Sequence, residues 1–206
     1  MRSVLRTGMT ALVLGALAAP AGADMSVYYH TGSWDAFSGP GADGKPVCGI
    51  GSTNPVDNRS FSLRFMIGSD TVVFQAKKPN WSIPAAAQLP VVVQIGLDTP
   101  WNVQGVGNGQ VVEWSLDRGA VQTFDAQFRR AGSMTLSFPS GNEPPWTVGL
   151  NGSTAISNAF GRCVTDMSAR TSAQQPAPVP SGPTQPYGQT PSQPITQDPT
   201  QPTTPR

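Results

Sequence analysis

Apolar and polar residues alternate with a period of two through much of the middle of the chain. Residues 60–67 (SFSLRFMI) place four large apolar side chains on one face, which is typical of a half-buried strand. The segment GSD at 68–70 predicts a turn, and TVVFQA at 71–76 predicts the returning strand of a hairpin. The pattern therefore favours an antiparallel sheet.

Other short apolar runs predict further strands of the same kind. The Gly-rich segment GVGNG at 105–109 is interpreted as a hairpin turn between two of them. The remaining predicted strands cover residues 25–30 (MSVYYH), 90–97 (PVVVQIGL), 110–116 (QVVEWSL), 133–138 (SMTLSF) and 146–150 (WTVGL).

Two segments have helical spacing instead. Residues 153–167 carry apolar side chains at intervals of three and four, and Cys163 falls on that apolar face. Residues 124–131 pair Phe124 with Phe128 and predict about two turns of helix. About eight strands with one late helix predict an all-β fold: an antiparallel β-sandwich or open barrel with one C-terminal amphipathic helix.

The two ends of the chain differ in composition from the middle. Residues 1–23 combine two arginines, a short apolar run and the small residues AGA, which is typical of a secretory signal peptide. Residues 171–206 contain ten prolines among Gln, Thr and Ser, and are expected to be a disordered, solvated tail without a partner. The alternative is a spacer or a ligand for a proline-binding protein. The remaining residues, 24–170, are predicted to form one β-sandwich domain.

The charge is balanced. The chain has 13 Lys and Arg against 12 Asp and Glu, and two of the arginines lie in the signal. No basic stripe is present, so we expect no nucleic-acid partner. No second long apolar run follows the signal, so we expect no membrane span after its cleavage. The predicted location is periplasmic or secreted.

Two cysteines remain, Cys48 and Cys163, separated by 115 positions. In an exported protein this predicts one structural disulfide. In the chain-entropy model, closing so long a loop stabilises the fold by roughly 4–5 kcal/mol. Two buried thiols or a redox pair are the alternatives, and the C-x-x-C spacing of a redox pair is absent.

Three tryptophans follow a proline in similar surroundings: Trp81 in KPNWSIP, Trp101 in DTPWNVQ and Trp146 in EPPWTVG. Each has a branched apolar residue two positions later, on the same face of an extended chain, which favours core positions at the starts of strands. The alternative is a row of exposed rings that stack on a ligand such as a sugar.

The sequence contains no catalytic motif, and we predict a non-enzymatic protein. His30 has Ser33 and Asp35 nearby, but residues this close rarely form a hydrolase triad, and a nucleophile elbow is missing. One histidine and two paired cysteines do not make a zinc site, and no phosphate-binding loop precedes a helix. No metal or cofactor is therefore expected.

Four segments carry a family resemblance: GSWDAF, PVCGIG, FRRAGSMTLSF and WTVGLNGSTAISNAFGRC. Their order, with a cysteine before the sheet and another in a late helix, resembles the small alphaproteobacterial periplasmic proteins of the invasion-associated locus B type. The resemblance covers about residues 34–163. It implies a non-enzymatic envelope protein with a β-sandwich body, linked in pathogens to the invasion of host cells, and it brings no catalytic residues.

The predicted function is therefore that of an exported envelope protein that binds a protein or another envelope component. The alternative is a module that binds carbohydrate or peptidoglycan through surface tryptophans.

Overall fold

Ten strands and two helices make up the described part of the protein. The structure is a computed structural model and describes residues 25–173, so the predicted signal peptide and nearly all of the predicted tail lie outside it. The elements are β1 (Ser26–Thr31), β2 (Trp34–Pro40), β3 (Pro46–Thr53), β4 (Ser60–Met66), β5 (Thr71–Lys77), β6 (Ile83–Ile95), β7 (Trp101–Gly109), β8 (Val111–Asp117), α1 (Arg118–Arg130), β9 (Ser133–Ser137), β10 (Trp146–Gly149) and α2 (Ser153–Ala173).

All ten strands belong to one antiparallel sheet. Their order is β1-β2-β3-β4-β5-β8-β7-β6-β9-β10, and the sheet curls into a half-barrel. The all-β prediction is confirmed, in its open-barrel form rather than as two stacked sheets. The hairpin of β4 and β5 is confirmed as well, with Phe65 opposite Val72.

Both helices cover the face of the sheet that carries the buried side chains. On this face Trp34 meets Phe128 of α1 edge-on, with 5.0 Å between ring centres, and Phe74 meets Phe124 at 4.8 Å. Helix α2 packs on β1, β2 and β3. The half-barrel therefore surrounds one hydrophobic core, and its outer face carries the more polar side chains.

Two contacts join distant elements, one between the sheet and the late helix and one between two strands. Cys48 in β3 and Cys163 in α2 form a disulfide with Cα atoms 6.0 Å apart, so the predicted bridge is confirmed. The Trp34 indole nitrogen donates to the carbonyl of Gly149 at 3.1 Å. This second bond joins β2 to β10, near opposite ends of the strand order.

The predicted turn at GVGNG was wrong, since residues 105–109 are the last five residues of β7. A Cβ atom on Gly107 would lie 2.4 Å from the Ile83 side chain, and one on Gly105 would lie 2.7 Å from Val112. These glycines allow neighbouring side chains to approach the strand closely. The chain reverses only at the end of this segment, at Gly109 and Gln110, where Gly109 has a φ of +60°.

Several boundaries also differ from the prediction. Strand β6 begins at Ile83, seven residues before the predicted start at Pro90. The added part is rich in alanine, which has low strand propensity, and it contains a bulge at Ala86, with φ +60°. Strands β2 and β3 were not identified by alternation. Helix α1 begins at Arg118, where Asp117 accepts from the Ala120 backbone N–H. Helix α2 runs to Ala173, three residues into the predicted tail.

Candidate functional site

A half-buried carboxylate lies at the end of the sheet where β10 begins. Glu143 lies in the loop between β9 and β10, close to a turn in which the Gly141 N–H donates to the Phe138 carbonyl at 3.1 Å. Two prolines then lead directly into Trp146, the first residue of β10. Because proline fixes its own φ, this approach has little conformational freedom.

Glu143 accepts four hydrogen bonds from three side chains. The Lys78 ammonium donates to both carboxylate oxygens, at 2.8 and 2.9 Å. The Trp146 indole donates to Oε1 at 2.8 Å, and the Trp81 indole donates to Oε2 at 3.0 Å. The side chains of Glu143 and Lys78 are only 14% and 17% exposed. Burial of this pair is therefore accompanied by full hydrogen bonding of the carboxylate.

The pKa of Glu143 reflects these partners. Burial raises it, but the hydrogen bonds from Lys78, Trp146 and Trp81, together with the positive charge of Lys78, outweigh burial and hold the pKa below the usual value for glutamate. Glu143 is consequently ionised at neutral pH and acts as a fixed acceptor.

Three aromatic rings pack together beside the carboxylate. Trp81 stacks on Trp146 with 5.0 Å between ring centres and 22° between planes. Phe138 meets Trp81 edge-on at 5.1 Å and approaches Trp146 at 5.4 Å. We call these rings, with Glu143 and Lys78, the Glu143 cluster.

A cavity of about 200 Å³ opens next to this cluster, and we call it the Trp81 pocket. Its lining is mainly apolar, with the polar side chains of Ser140, Asn142 and Glu143 on the side of the β9–β10 loop. An apolar cavity with a few fixed polar groups is the usual form of a small-ligand site. Its apolar lining consists of Trp81, Ile83, Leu89, Val112 and Phe138.

The three tryptophans considered for ligand stacking do not form one surface. Trp146 is 1% exposed, so it is a core residue without an exposed ring face. Trp101 is half-buried and separate from the cluster, since its indole donates to Gln127 of α1 at 2.6 Å and its ring packs 6.0 Å from Phe124. Trp81 alone is both half-buried and part of a pocket wall.

His30 and Asp35 contact each other, but Ser33 does not join them. They are paired across β1 and β2, and His30 Nδ1 lies 2.7 Å from a carboxylate oxygen of Asp35. Both side chains are largely exposed. The Ser33 hydroxyl bonds instead with Ser52, at 3.2 Å. Strand pairing accounts for this contact without a triad.

Sequence reasoning missed Glu143 and Lys78 as site residues, although a signal for them exists. Each Pro-Trp stretch has a charged residue three positions before the tryptophan: Lys78 before Trp81, Asp98 before Trp101 and Glu143 before Trp146. The first and third have opposite charge and pair with each other, while Asp98 pairs with Arg130 at 2.6 Å.

Neither a metal-ligand group nor a membrane-spanning helix is found in the described part of the chain. Within residues 25–173, no three His, Cys, Asp or Glu side chains group in a way that could hold a metal ion. In the same residues, neither helix has the length and apolar character needed to cross a membrane.

Comparison of the chain with protein-family models, curated proteins and solved structures gives no match.

Proposed function

We propose that this protein is a non-catalytic, exported binding module of the bacterial envelope, and that the Trp81 pocket holds a compact apolar group of its ligand. The observation that carries the proposal is the pocket itself: an apolar cavity whose tryptophan wall is hydrogen-bonded to a half-buried, ionised carboxylate. The invasion-associated locus B resemblance agrees with such a role.

Fixation of Trp81 favours binding. Its indole nitrogen is bonded to Glu143 and its ring is stacked on Trp146, so a ligand does not have to order it. Pre-ordered walls lower the entropic cost of association. The hydroxyl of Ser140 and the amide of Asn142 can bond a polar group attached to the bound apolar one.

The carboxylates support a role in binding rather than in catalysis. Glu143 has a lowered pKa and both oxygens in use, which suits neither a general acid nor a general base at neutral pH. The other glutamate, Glu113, lies on the outer face of the sheet and pairs with Arg64. A glycosidase needs two carboxylates on either side of one bond.

Export is supported by the Cys48–Cys163 disulfide, because such bridges persist in oxidising compartments. The expected result is a chain that begins near Asp24 when the protein is recovered from the periplasm or medium. Intact mass before and after reduction and alkylation tests it. An uncleaved start, or thiols that react without reduction, would contradict export.

A second candidate function is carbohydrate binding, favoured by the half-buried Trp81 ring beside Ser140, Asn142 and Glu143. Sugar rings combine an apolar face with hydroxyl groups at their edges. This combination matches a single aromatic ring with polar neighbours.

Saturation-transfer NMR separates the two candidates. The probes are benzyl alcohol, which presents an apolar ring with one hydroxyl, and methyl β-glucoside. We expect transfer from the protein to benzyl alcohol in the wild type, and loss of this transfer in Leu89→Trp, which fills the pocket. Leu97→Trp is the matched control, because Leu97 is fully exposed in the turn after β6.

Transfer to the glucoside that is lost in Leu89→Trp and kept in Leu97→Trp would favour the carbohydrate candidate. Transfer to both probes that is unchanged in Leu89→Trp would exclude the Trp81 pocket as the binding site.

A further inference from the structure

A second pocket, of about 210 Å³, lies between the β3–β4 loop and β10. Phe61 and Trp146 contribute to its lining from the core, and Arg59 lines it from the loop. We call it the Arg59 pocket. Its other polar side chains are hydroxyls and one amide: Ser33, Ser52, Thr53, Asn54, Ser60 and Thr147.

The loop holds Arg59 in place. The Asn54 N–H donates to the Arg59 carbonyl at 2.8 Å, and the Asn58 N–H donates to the Asn54 carbonyl at 2.9 Å. The guanidinium Nε lies 3.3 Å from a carboxylate oxygen of Asp57. The guanidinium carbon lies 5.6 Å from the centre of the Trp146 ring. The side chain is thus 22% exposed and ordered before any ligand arrives.

Arg59 brings a positive charge to the pocket wall, and its carboxylate partner Asp57 lies beside it outside the lining. Arg59 is the only charged residue among the described residues that line the cavity. The Asp57 carboxylate lies beside the Arg59 Nε and accepts a hydrogen bond from the Arg59 backbone N–H, and no hydrogen bond from the two terminal guanidinium nitrogens is found within residues 25–173. Two such nitrogens match the two oxygens of a carboxylate in a bidentate pair.

We propose that the Arg59 pocket binds an acidic sugar, with the ligand carboxylate on the Arg59 guanidinium and the ligand hydroxyls on the surrounding Ser, Thr and Asn side chains. Hydroxyls both donate and accept, so a ring of them suits a polyol better than a purely apolar or purely anionic ligand. This site is separate from the Trp81 pocket and does not depend on what binds there.

Amide-detected NMR titration tests the proposal, using the oxidised protein with glucuronate, glucose and acetate as probes. In the wild type we expect glucuronate to bind more tightly than either glucose or acetate, with shifts at residues 52–60 and 146–149. In Arg59→Gln we expect glucuronate affinity to fall by roughly tenfold or more, as for loss of a charged hydrogen-bond partner.

The matched control is Arg118→Gln. Arg118 also lies over an aromatic ring, 6.0 Å from the centre of Phe65, and faces a carboxylate, Asp70, but it is outside this pocket. Its substitution is expected to leave glucuronate affinity unchanged. Arg59→Lys keeps the charge but not the paired nitrogens, and we expect an intermediate affinity.

Equal affinity of the wild type for glucuronate and glucose would overturn the proposal, even if the Arg59 variants fail to fold. Equal affinity for acetate and glucuronate would overturn the sugar part of it. Shifts confined to other residues would overturn the assignment of the site. Loss of glucuronate binding in Leu89→Trp, with Arg59→Gln unaffected, would move the sugar to the Trp81 pocket.

Discussion

Two parts of the molecule begin from nearly the same local sequence and end with different roles. In the Glu143 cluster, Trp81 and Trp146 share one half-buried carboxylate, which Lys78 neutralises. At the start of β7, Trp101 has an acidic residue at the same spacing, but Asp98 turns outward to Arg130 and the indole bonds to a neutral amide of α1. The tertiary partner, rather than the motif, decides what each tryptophan does.

The two regions also differ in how strongly their charges are shielded from water. The side chains of Lys78 and Glu143 are 17% and 14% exposed, whereas those of Arg130 and Asp98 are 59% and 27% exposed. Water screens an exposed ion pair, so its removal lowers the free energy of unfolding only slightly. A carboxylate shielded from water lowers it more when its partners are removed. The cluster should therefore respond to substitution more strongly than the Trp101 region.

The largest contrast is expected from removing each ring. Trp146→Ala should lower the free energy of unfolding by about 3–5 kcal/mol, because it empties a fully buried site between Trp81 and Phe138. Trp101→Ala should cost roughly half as much, since that ring is only partly buried. Urea unfolding with the disulfide intact measures both. Equal losses of unfolding free energy in the two variants would contradict the expected difference between the two regions.

Neutralising each acidic residue should give a smaller contrast. Glu143→Gln should cost about 2 kcal/mol, because Lys78 and the two indoles lose a charged acceptor. Asp98→Asn is the matched control and should cost about 0.5 kcal/mol, as is usual for exposed pairs. The same unfolding experiment decides, and an Asp98→Asn loss as large as that of Glu143→Gln would contradict the difference in shielding.

The advantage of the wild type over Glu143→Gln should depend on pH. The pKa of Glu143 is lowered in the folded protein, so its ionised form stabilises the fold. This contribution is complete above the unfolded-state pKa of about 4.3 and disappears as the pH falls through the folded-state value. Urea midpoints of both proteins across the acidic range measure it. A difference in urea midpoint that stays constant throughout that range would show that the charge of Glu143 does not cause the stability difference.

A small effect, confined to the Trp101 region, is expected at Gln127. Gln127→Ala removes the acceptor of the Trp101 indole and should cost about 1 kcal/mol. The indole N–H signal of Trp101 should move, while those of Trp81 and Trp146 stay in place. Movement of all three signals in the NMR spectrum would mean that the two regions are coupled.

Prediction from the sequence succeeded for the strands that bury side chains on one face of the sheet and half-expose them on the other. Strands β4 and β5 alternate cleanly, and their hairpin could be located to within a residue or two. Apolar spacing likewise identified α2, and Cys163 on its buried face pointed to the disulfide.

The errors have a common physical cause. Glycines in β3 and β7 and alanines in β6 leave room for neighbouring side chains, as Ile83 over Gly107 demonstrates. Such positions carry no hydrophobic pattern of their own, so only the folded neighbours reveal that they are strands. The first turn of α1 similarly lacks buried apolar side chains.

The candidate site was only partly predictable, because its central contact joins residues 65 positions apart. Local sequence identified the tryptophans and suggested core positions for them. It could not indicate that Lys78 and Glu143 meet, or that Trp101 lies apart with α1, since strand order determines both.

Of the three Pro-Trp tryptophans, Trp81 is the one that lines the Trp81 pocket, and it should contact the apolar group bound there. The most direct test is to follow the indole N–H signals of all five tryptophans while benzyl alcohol is added at neutral pH. We predict a saturable shift of Trp81, a smaller one of its stacked partner Trp146, and none of Trp101. A Trp101 shift as large as that of Trp81, or no shift at Trp81 at all, would contradict the account.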